Sequence, residues 1–380
     1  MTTTDRPLGL ALLGTGYLAK AFTLGYRSAP VIFGPGLPPT RPVIVATSTA
    51  EGAARDAALL GFARSTDDWR RAIADPEVDI VIVNTPNDLH APQAQAAIAA
   101  GKHVHCEKPL GLDRHEARAM TEAAEARGVR TIVGFNYRQN PACALAREII
   151  AAGELGEIVS FRATHVEDFA AGRDTSLGWK RTKARAGYGA LGDVGSHITC
   201  IVEHLLGRIA RVCGTVRTVH ADRPVAPGSA ERLPVETDDE ARFLCELETG
   251  VPGMIEASRV ATGRKMGLTY EITGTRGTLA FDQARLAELQ LYEAAAPPGR
   301  RGFKTLLLDP DHPDYGRFND GPGHGLGFND QKIVECARFL EAIRDGTRAS
   351  PDFRDAWHVN AVLDAVLESH RTRTWAEVVM

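Results

Sequence analysis

Over the first third of the chain, short runs of consecutive apolar residues alternate with segments whose apolar positions recur every three or four residues. The runs cover residues 8–13, 43–47, 79–84, 102–106 and 129–135. Apolar on both faces, they read as buried parallel strands. The segments between them read as helices: one from the end of the first run to residue 28, one ending at Ala100, and one opened by a capping box of Asp113 and Glu116 and ending at Arg127. Asn87 is placed to cap the second of these. Residues 29–42 break the pattern, with Pro30, Pro35, Pro38, Pro39 and Pro42. Proline neither continues a helix nor sits in a central strand, so a long surface loop is expected there. Strand and helix in alternation predict an α/β fold with a doubly wound parallel sheet of the Rossmann type.

The pattern changes after residue 135. A helix over 141–152 is followed by strand-like segments at 158–166, 212–219, 238–247, 253–259, 268–273 and 277–281. Strands that follow one another with few helices between them predict an α+β domain with an open, mainly antiparallel sheet. Residues 295–330 form a Gly/Pro-rich loop, and two helices over 329–344 and 354–370 close the chain. The expected division is a dinucleotide-binding domain over 1–135 and a substrate-binding and oligomerisation domain over 136–380, with the C-terminal helix able to pack back on the first. A length of 380 residues fits two domains.

Composition narrows the partners. The formal net charge is -4 and no basic run occurs, which gives no electrostatic footprint for nucleic acid or an anionic membrane. No stretch reaches the roughly 18 apolar residues of a membrane helix, and the residues from Met1 to Pro7 lack the pattern of a leader, so a cytoplasmic protein is expected. Six scattered cysteines match neither a metal knuckle nor a disulfide framework and read as reduced thiols, and no histidine–carboxylate cluster has metal spacing.

Three stretches carry chemistry. Gly14-Thr15-Gly16-Tyr17-Leu18-Ala19 lies between the first strand and its helix, where such a sequence makes a tight turn, admits the pyrophosphate and offers helix-end amides to it. The second strand ends at Ser48 and Thr49, where an acid gripping the ribose 2'-hydroxyl is typical; none is present, and the nearest arginine is Arg55. NAD and NADP therefore both remain open on residues alone. Thr85-Pro86-Asn87-Asp88-Leu89-His90 turns the third run into its helix, and Glu107-Lys108-Pro109 stands at the carboxyl end of the fourth, where ligands of such sheets bind. In Gly192-Asp193-Val194-Gly195-Ser196-His197, Asp193 and His197 are four apart and share a face if the stretch is helical. Alone, that pair also reads as a capping aspartate and a packed histidine. His103 and His105 alternate on a buried strand and read as packed.

In combination these motifs resemble the glucose-fructose oxidoreductase, inositol dehydrogenase and rhizopine-catabolism family of oxidoreductases, and are most similar to the branch that includes levoglucosan dehydrogenase. Tyr188 differs from the small residue usual there, and the polar character of residues 165–169 also departs from that branch. The resemblance implies an NAD(P)-dependent oxidation of a ring hydroxyl on a sugar, sugar derivative or cyclitol, with NAD favoured as cofactor. It implies catalytic roles for Lys108, Asp193 and His197. Removing a hydride from an alcohol requires its proton to leave as well, and histidine is the usual base. Lys108 brings positive charge to the developing alkoxide, or itself transfers the proton. Cofactor contacts are expected from Gly14, Thr15, Gly16, Tyr17, Leu18, Ser48, Thr49, Thr85, Pro86, Asn87, His90, Glu107 and Lys108. Tyr137, Arg138, His165, Asp168, Trp179 and Lys180 are expected to line the sugar pocket. The alternatives are a non-catalytic nicotinamide-sensing regulator and a reductase of unusual-sugar biosynthesis. A homodimer or homotetramer through the C-terminal sheet is expected.

Overall fold

A computed structural model of the chain describes residues 6–380; the leader reading at Met1 to Asp5 lies outside the described residues. The chain runs β1 Leu8–Leu13, α1 Ala19–Ile32, β2 Thr40–Ala46, α2 Ala50–Leu60, β3 Arg64–Thr66, α3 Trp69–Ala74, β4 Ile80–Val83, α4 His90–Ala99, β5 His103–Cys106, α5 Arg114–Arg127 and β6 Thr131–Val133. It continues with α6 Pro141–Ala151, β7 Ile158–Val166, α7 Lys183–Ala186, α8 Ser196–Leu206, β8 Ile209–Arg217, β9 Asp222–Pro224, β10 Arg232–Pro234, β11 Glu240–Leu247 and β12 Pro252–Ser258. The last elements are β13 Gly267–Gly274, β14 Gly277–Asp282, β15 Glu288–Glu293, β16 Lys304–Leu307, α9 Tyr315–Phe318, α10 Phe328–Asp345, α11 Phe353–Thr372 and β17 Ala376–Glu377. Two compact units result: Met1–Asn136 with Gly327–His358, and Tyr137–Leu326 with Val359–Met380. Helix α10, expected in the second domain, therefore belongs to the first unit, and the boundary within α11 falls after His358.

The first unit is built on a six-stranded parallel sheet in the order β3-β2-β1-β4-β5-β6. Its strands are dry: every residue of β1, β4 and β6 is buried. Of residues 29–42, the expected loop holds over 33–39 and gives way to helix at 29–32 and strand at 40–42. Helix α1 runs through Pro30 to Ile32, because the carbonyl that proline cannot serve, that of Tyr26, accepts the Thr40 hydroxyl at 2.9 Å instead. Pro42 lies inside β2, between β1 and β3, at the register shift where Leu10 faces Pro42 and Ala11 faces Ile44. A bulge is where a strand tolerates a missing N–H. At α5, Asp113 accepts from the amides of His115 and Glu116, while Glu116 reaches Leu112 rather than completing the box on Asp113.

The second unit carries a nine-stranded mixed sheet, β16-β15-β14-β13-β7-β12-β11-β8-β17, antiparallel except where β7 meets β12. Along β7, Phe161, Ala163 and His165 are buried on the face beneath α8, whereas Arg162 and Thr164 point the other way and pair with Glu271 and Thr269. The β9–β10 hairpin, β15 and β17 carry too weak an alternation to be read from sequence. The expected loop over 295–330 contains β16 and α9, and it is pinned by fully buried Tyr315, whose hydroxyl bonds the carbonyl of His324. Among the described residues no helix is long and apolar enough to cross a membrane.

Replacing Thr40 by valine keeps the shape but leaves the Tyr26 carbonyl without its donor, so unfolding free energy should fall by about 1 kcal/mol in urea titration, with Thr40→Ser near wild type. Equal stability of both variants would mean that Thr40 does not rescue the helix at Pro30.

Candidate active site

In the first unit, the fingerprint turn is held by backbone and side chains together. Gly14 has φ 84°, and a Cβ there would lie 2.5 Å from the carbonyl oxygen of Asn84, so only glycine fits. The Gly14 amide donates to Ala46, its carbonyl accepts from the Asn84 side chain at 3.1 Å, and Thr15 donates to Asp56. That hydrogen bond holds the Asp56 carboxyl below its ordinary range against the opposing effect of burial. A Cβ at Gly16 would meet nothing within 4 Å. Helix α1 opens at Leu18 without a side-chain cap and with no acid in its first turn. An uncapped helix N-terminus beside an open glycine is what a dinucleotide's phosphates require, so these residues fit NAD. Tyr17 is 87% exposed, its ring centroid 6.4 Å from that of Phe328.

Ser48 and Thr49 are exposed just past β2; Thr49 caps α2 by accepting from the amide of Gly52. Arg55 is bound by Asp56 at 3.0 Å. Thr85 donates to Gln93, Pro86 and Asn87 open a 3-10 turn, and α4 begins only at His90. His90 departs from the cofactor contact expected of it. It is fully buried, its two nitrogens 2.9 and 3.0 Å from the carbonyls of Pro109 and Thr85, and the one N–H of a neutral ring bonds one of them. Burial holds its imidazole below the ordinary range. Glu107 is buried, Lys108 is half-buried, and the Lys108–Pro109 bond is cis.

In the second unit, Asp193 lies in a π-helical turn, Leu191–Gly195, that runs into α8, where His197 stands one turn on. The wider turn is a feature that often marks functional sites. The cap of this element is not Asp193. Buried Asp238 accepts from the amides of Gly189 and Leu191, each at 2.7 Å, and burial pushes its carboxyl up against those two hydrogen bonds. Asp193 is thereby left to side-chain chemistry, and its Oδ2 accepts from Lys180 Nζ at 2.7 Å. Tyr188 packs over Gly192, and its hydroxyl donates to Asp364.

Around His197 the rings close in. The Tyr137 centroid lies 4.8 Å from that of His197 and 5.5 Å from that of His165. His165 is buried, with Nδ1 3.0 Å from the carbonyl of Val194 and Nε2 3.0 Å from Glu167 Oε1, which fixes its ring. Lys180 Nζ lies 5.8 Å from the rings of Trp179 and Phe169. Two expected pocket residues turn elsewhere. Asp168 bonds Lys265 and the amide of Gly263, and Lys265 holds its carboxyl below the ordinary range. Buried Arg138 donates to Cys200 Sγ at 3.8 Å, further along α8. Glu167 and Asp238 are not among the residues expected at the site. The short spacing of Glu167 from His165 on a strand end was a usable signal; the reach of Asp238 across the fold was not.

Comparison with known proteins identifies the family. Residues 8–135 match the model described as oxidoreductase family, NAD-binding Rossmann fold, and residues 143–280 match the GFO/IDH/MocA C-terminal domain. The chain is 38% identical to levoglucosan dehydrogenase of Pseudarthrobacter phenanthrenivorans, with 98% of each chain covered. A solved structure of levoglucosan dehydrogenase in complex with NADH and levoglucosan superposes with a TM-score of 0.95 at 38% identity, covering 99% of this chain and 100% of that one. An NAD binding oxidoreductase from Klebsiella pneumoniae gives 0.93 at 39% identity, with the same coverage. With its fingerprint turn and its Asp193–His197 element in the two matched regions, the chain belongs to the GFO/IDH/MocA family of NAD-binding oxidoreductases.

Proposed function

We propose that the chain is an NAD-dependent dehydrogenase that oxidises a ring hydroxyl of an uncharged sugar, anhydrosugar or cyclitol to the ketone. The observation that carries this reading is the cluster of Tyr137, His165, Asp193, His197 and Lys180 in the second unit. It offers hydroxyl-binding polar groups beside aromatic faces, the combination that polyols need. The full-length similarity to levoglucosan dehydrogenase supports a 1,6-anhydrosugar as the first substrate to try.

Bound NAD supplies the hydride acceptor. Gly14 to Leu18 hold the phosphates at the open end of α1, and Glu107 accepts from the hydroxyls of the nicotinamide ribose. His197 takes the proton of the reacting hydroxyl. Asp193, fixed by Lys180, orients the imidazole or a neighbouring substrate hydroxyl. Lys108 stabilises the negative charge that develops on oxygen, an effect that typically accounts for a 100-fold or larger share of rate (order of magnitude). The balance is alcohol plus NAD+ to ketone, NADH and one proton. NAD rather than NADP is favoured because Ser48 and Thr49 carry no positive charge and Arg55 is engaged by Asp56. Six cysteines without a disulfide suit a reducing compartment, and the reading assigns the enzyme to the cytoplasm.

A panel of levoglucosan, L-sorbose, myo-inositol and glucose with NAD or NADP, followed at the nicotinamide absorbance, should give reduction with at least one ring polyol and preference for NAD; no reduction of either cofactor by any of them would contradict the reading. With the working substrate, His197→Ala should lower turnover by about 100-fold or more while NAD affinity stays within about twofold. Unchanged turnover would return His197 to a packing role.

The outer face of the nine-stranded sheet pairs Leu244 with Met254, 54% and 39% exposed, across neighbouring strands. Covering them with the same face of a second copy is the simplest solution, so light scattering should give a dimer or tetramer. A monomeric mass at micromolar concentration would contradict it.

A further inference from the structure

The first unit buries a lysine. Lys332 of α10 has no exposed surface, and a buried ammonium persists only where anions surround it. Its Nζ donates to Glu335 Oε1 at 2.6 Å, one turn along the same helix, and to Glu107 Oε1 at 3.2 Å. It also lies 4.2 Å from the centre of the Phe22 ring. Burial disfavours the ammonium, but Glu335 and Glu107 outweigh it and hold Lys332 above its ordinary range.

The network extends inward. His105 Nε2 donates to Glu335 Oε1 at 2.9 Å, and burial keeps the imidazole below its ordinary range. A neutral ring that donates at Nε2 accepts at Nδ1, so the donor there is the Tyr26 hydroxyl, 2.9 Å away. Glu335 is opposed by burial, yet Lys332 and then His105 hold its carboxyl below the ordinary range.

Glu335, three residues on along the same helix, answers one of the three donors of the buried ammonium. The second bond reaches across the unit to Glu107. Glu107 follows β5 and immediately precedes Lys108, and its carboxylate is accommodated on purpose: a Cβ at Gly134 would lie 2.4 Å from Glu107 Oε1. The other oxygen, Oε2, accepts from the amide of Lys108 at 3.3 Å. Both oxygens are therefore tethered, from helix α10 on one side and from the catalytic loop on the other.

We infer that Lys332 is a positioning residue for the cofactor: from inside the first unit it keeps Glu107 an oriented anion, while Glu335 and His105 keep Lys332 in place. The inference rests on the reading of Glu107 as acceptor for the nicotinamide ribose. Glu107 is faced by Lys332, with Glu335 behind it, from α10, by His105 and Cys106 from β5 and by His90 from α4, and it adjoins Lys108. Burial holds both histidines below and Cys106 well above their ordinary ranges. Lys332 is the buried cation bonded to Glu107.

The test is NAD affinity by tryptophan fluorescence or calorimetry between about pH 6 and about pH 8, with melting temperature recorded for each variant. Lys332→Met alone would strand two buried carboxylates, so the variant to make is Lys332→Met with Glu335→Gln, which removes one charge of each sign. It should fold, bind NAD about tenfold more weakly at neutral pH, and lose further affinity as pH falls, because a buried carboxylate without its cation takes up a proton more readily. Should it not fold, Lys332→Gln in place of Lys332→Met keeps a donor without the charge and is read the same way. Wild-type affinity across the range, or weaker binding with no added pH dependence, overturns the inference. Glu107→Gln separates the two claims. It should weaken NAD binding by about tenfold, and wild-type binding by this variant would instead overturn the ribose-acceptor reading on which the inference stands.

Discussion

A charged group taken out of water must find its partners inside the protein, and both halves of the proposed chemistry rest on that constraint. In the first unit the requirement is met by Lys332 lying between Glu335 and Glu107, with His105 and Tyr26 behind them, none exposed beyond a few per cent on the side chain. In the second unit it is met by Asp238, which spends its buried carboxylate on the amides that open the π turn. Each network ends at a segment to which the proposal assigns chemistry, Glu107-Lys108-Pro109 in one and Asp193 to His197 in the other. The groups assigned to substrate and cofactor thus stand at the edges of these buried networks.

This arrangement explains why Asp193 is available for chemistry. A helix start needs an acceptor for its orphan amides, and an aspartate in the first turn would ordinarily be drawn to that task. Asp238 takes it from elsewhere in the chain. Asp193 instead pairs with Lys180, one turn before His197, whose ring lies 5.7 Å from that of His165. Tyr188, the residue that departs from the related branch, lies beneath the same turn with its hydroxyl on Asp364. The departure therefore acts on the support of the element that bears His197.

Much of this was legible in the residues, for physical reasons that differ from place to place. Strands buried on both faces announce themselves as apolar runs, and the fingerprint turn needs glycine where φ is positive, so the parallel sheet and its phosphate end could be read directly. Residues 29–42 could not, because what rescues Pro30 is a hydroxyl on Thr40, a contact across a turn that no local pattern encodes. Lys332 was equally hidden: on a helical wheel it is an ordinary lysine, and its burial follows only from α10 lying against α1. His90 misled in the opposite sense, since a polar residue in a ligand-side motif turned out to lie buried between two backbone carbonyls. Side-chain partners that the hydrophobic pattern does not encode account for each miss.

The central claim is that this member of the GFO/IDH/MocA oxidoreductases moves hydride from a ring carbon to NAD. Isotope transfer tests it most directly: the enzyme is given NAD and a levoglucosan or cyclitol deuterated at its ring carbons, and the nicotinamide product is examined by NMR. The account predicts deuterium at the nicotinamide C4 position, on one face only, with none lost to water. Reduced cofactor without deuterium, or product formed with the deuterium released to solvent, would contradict it.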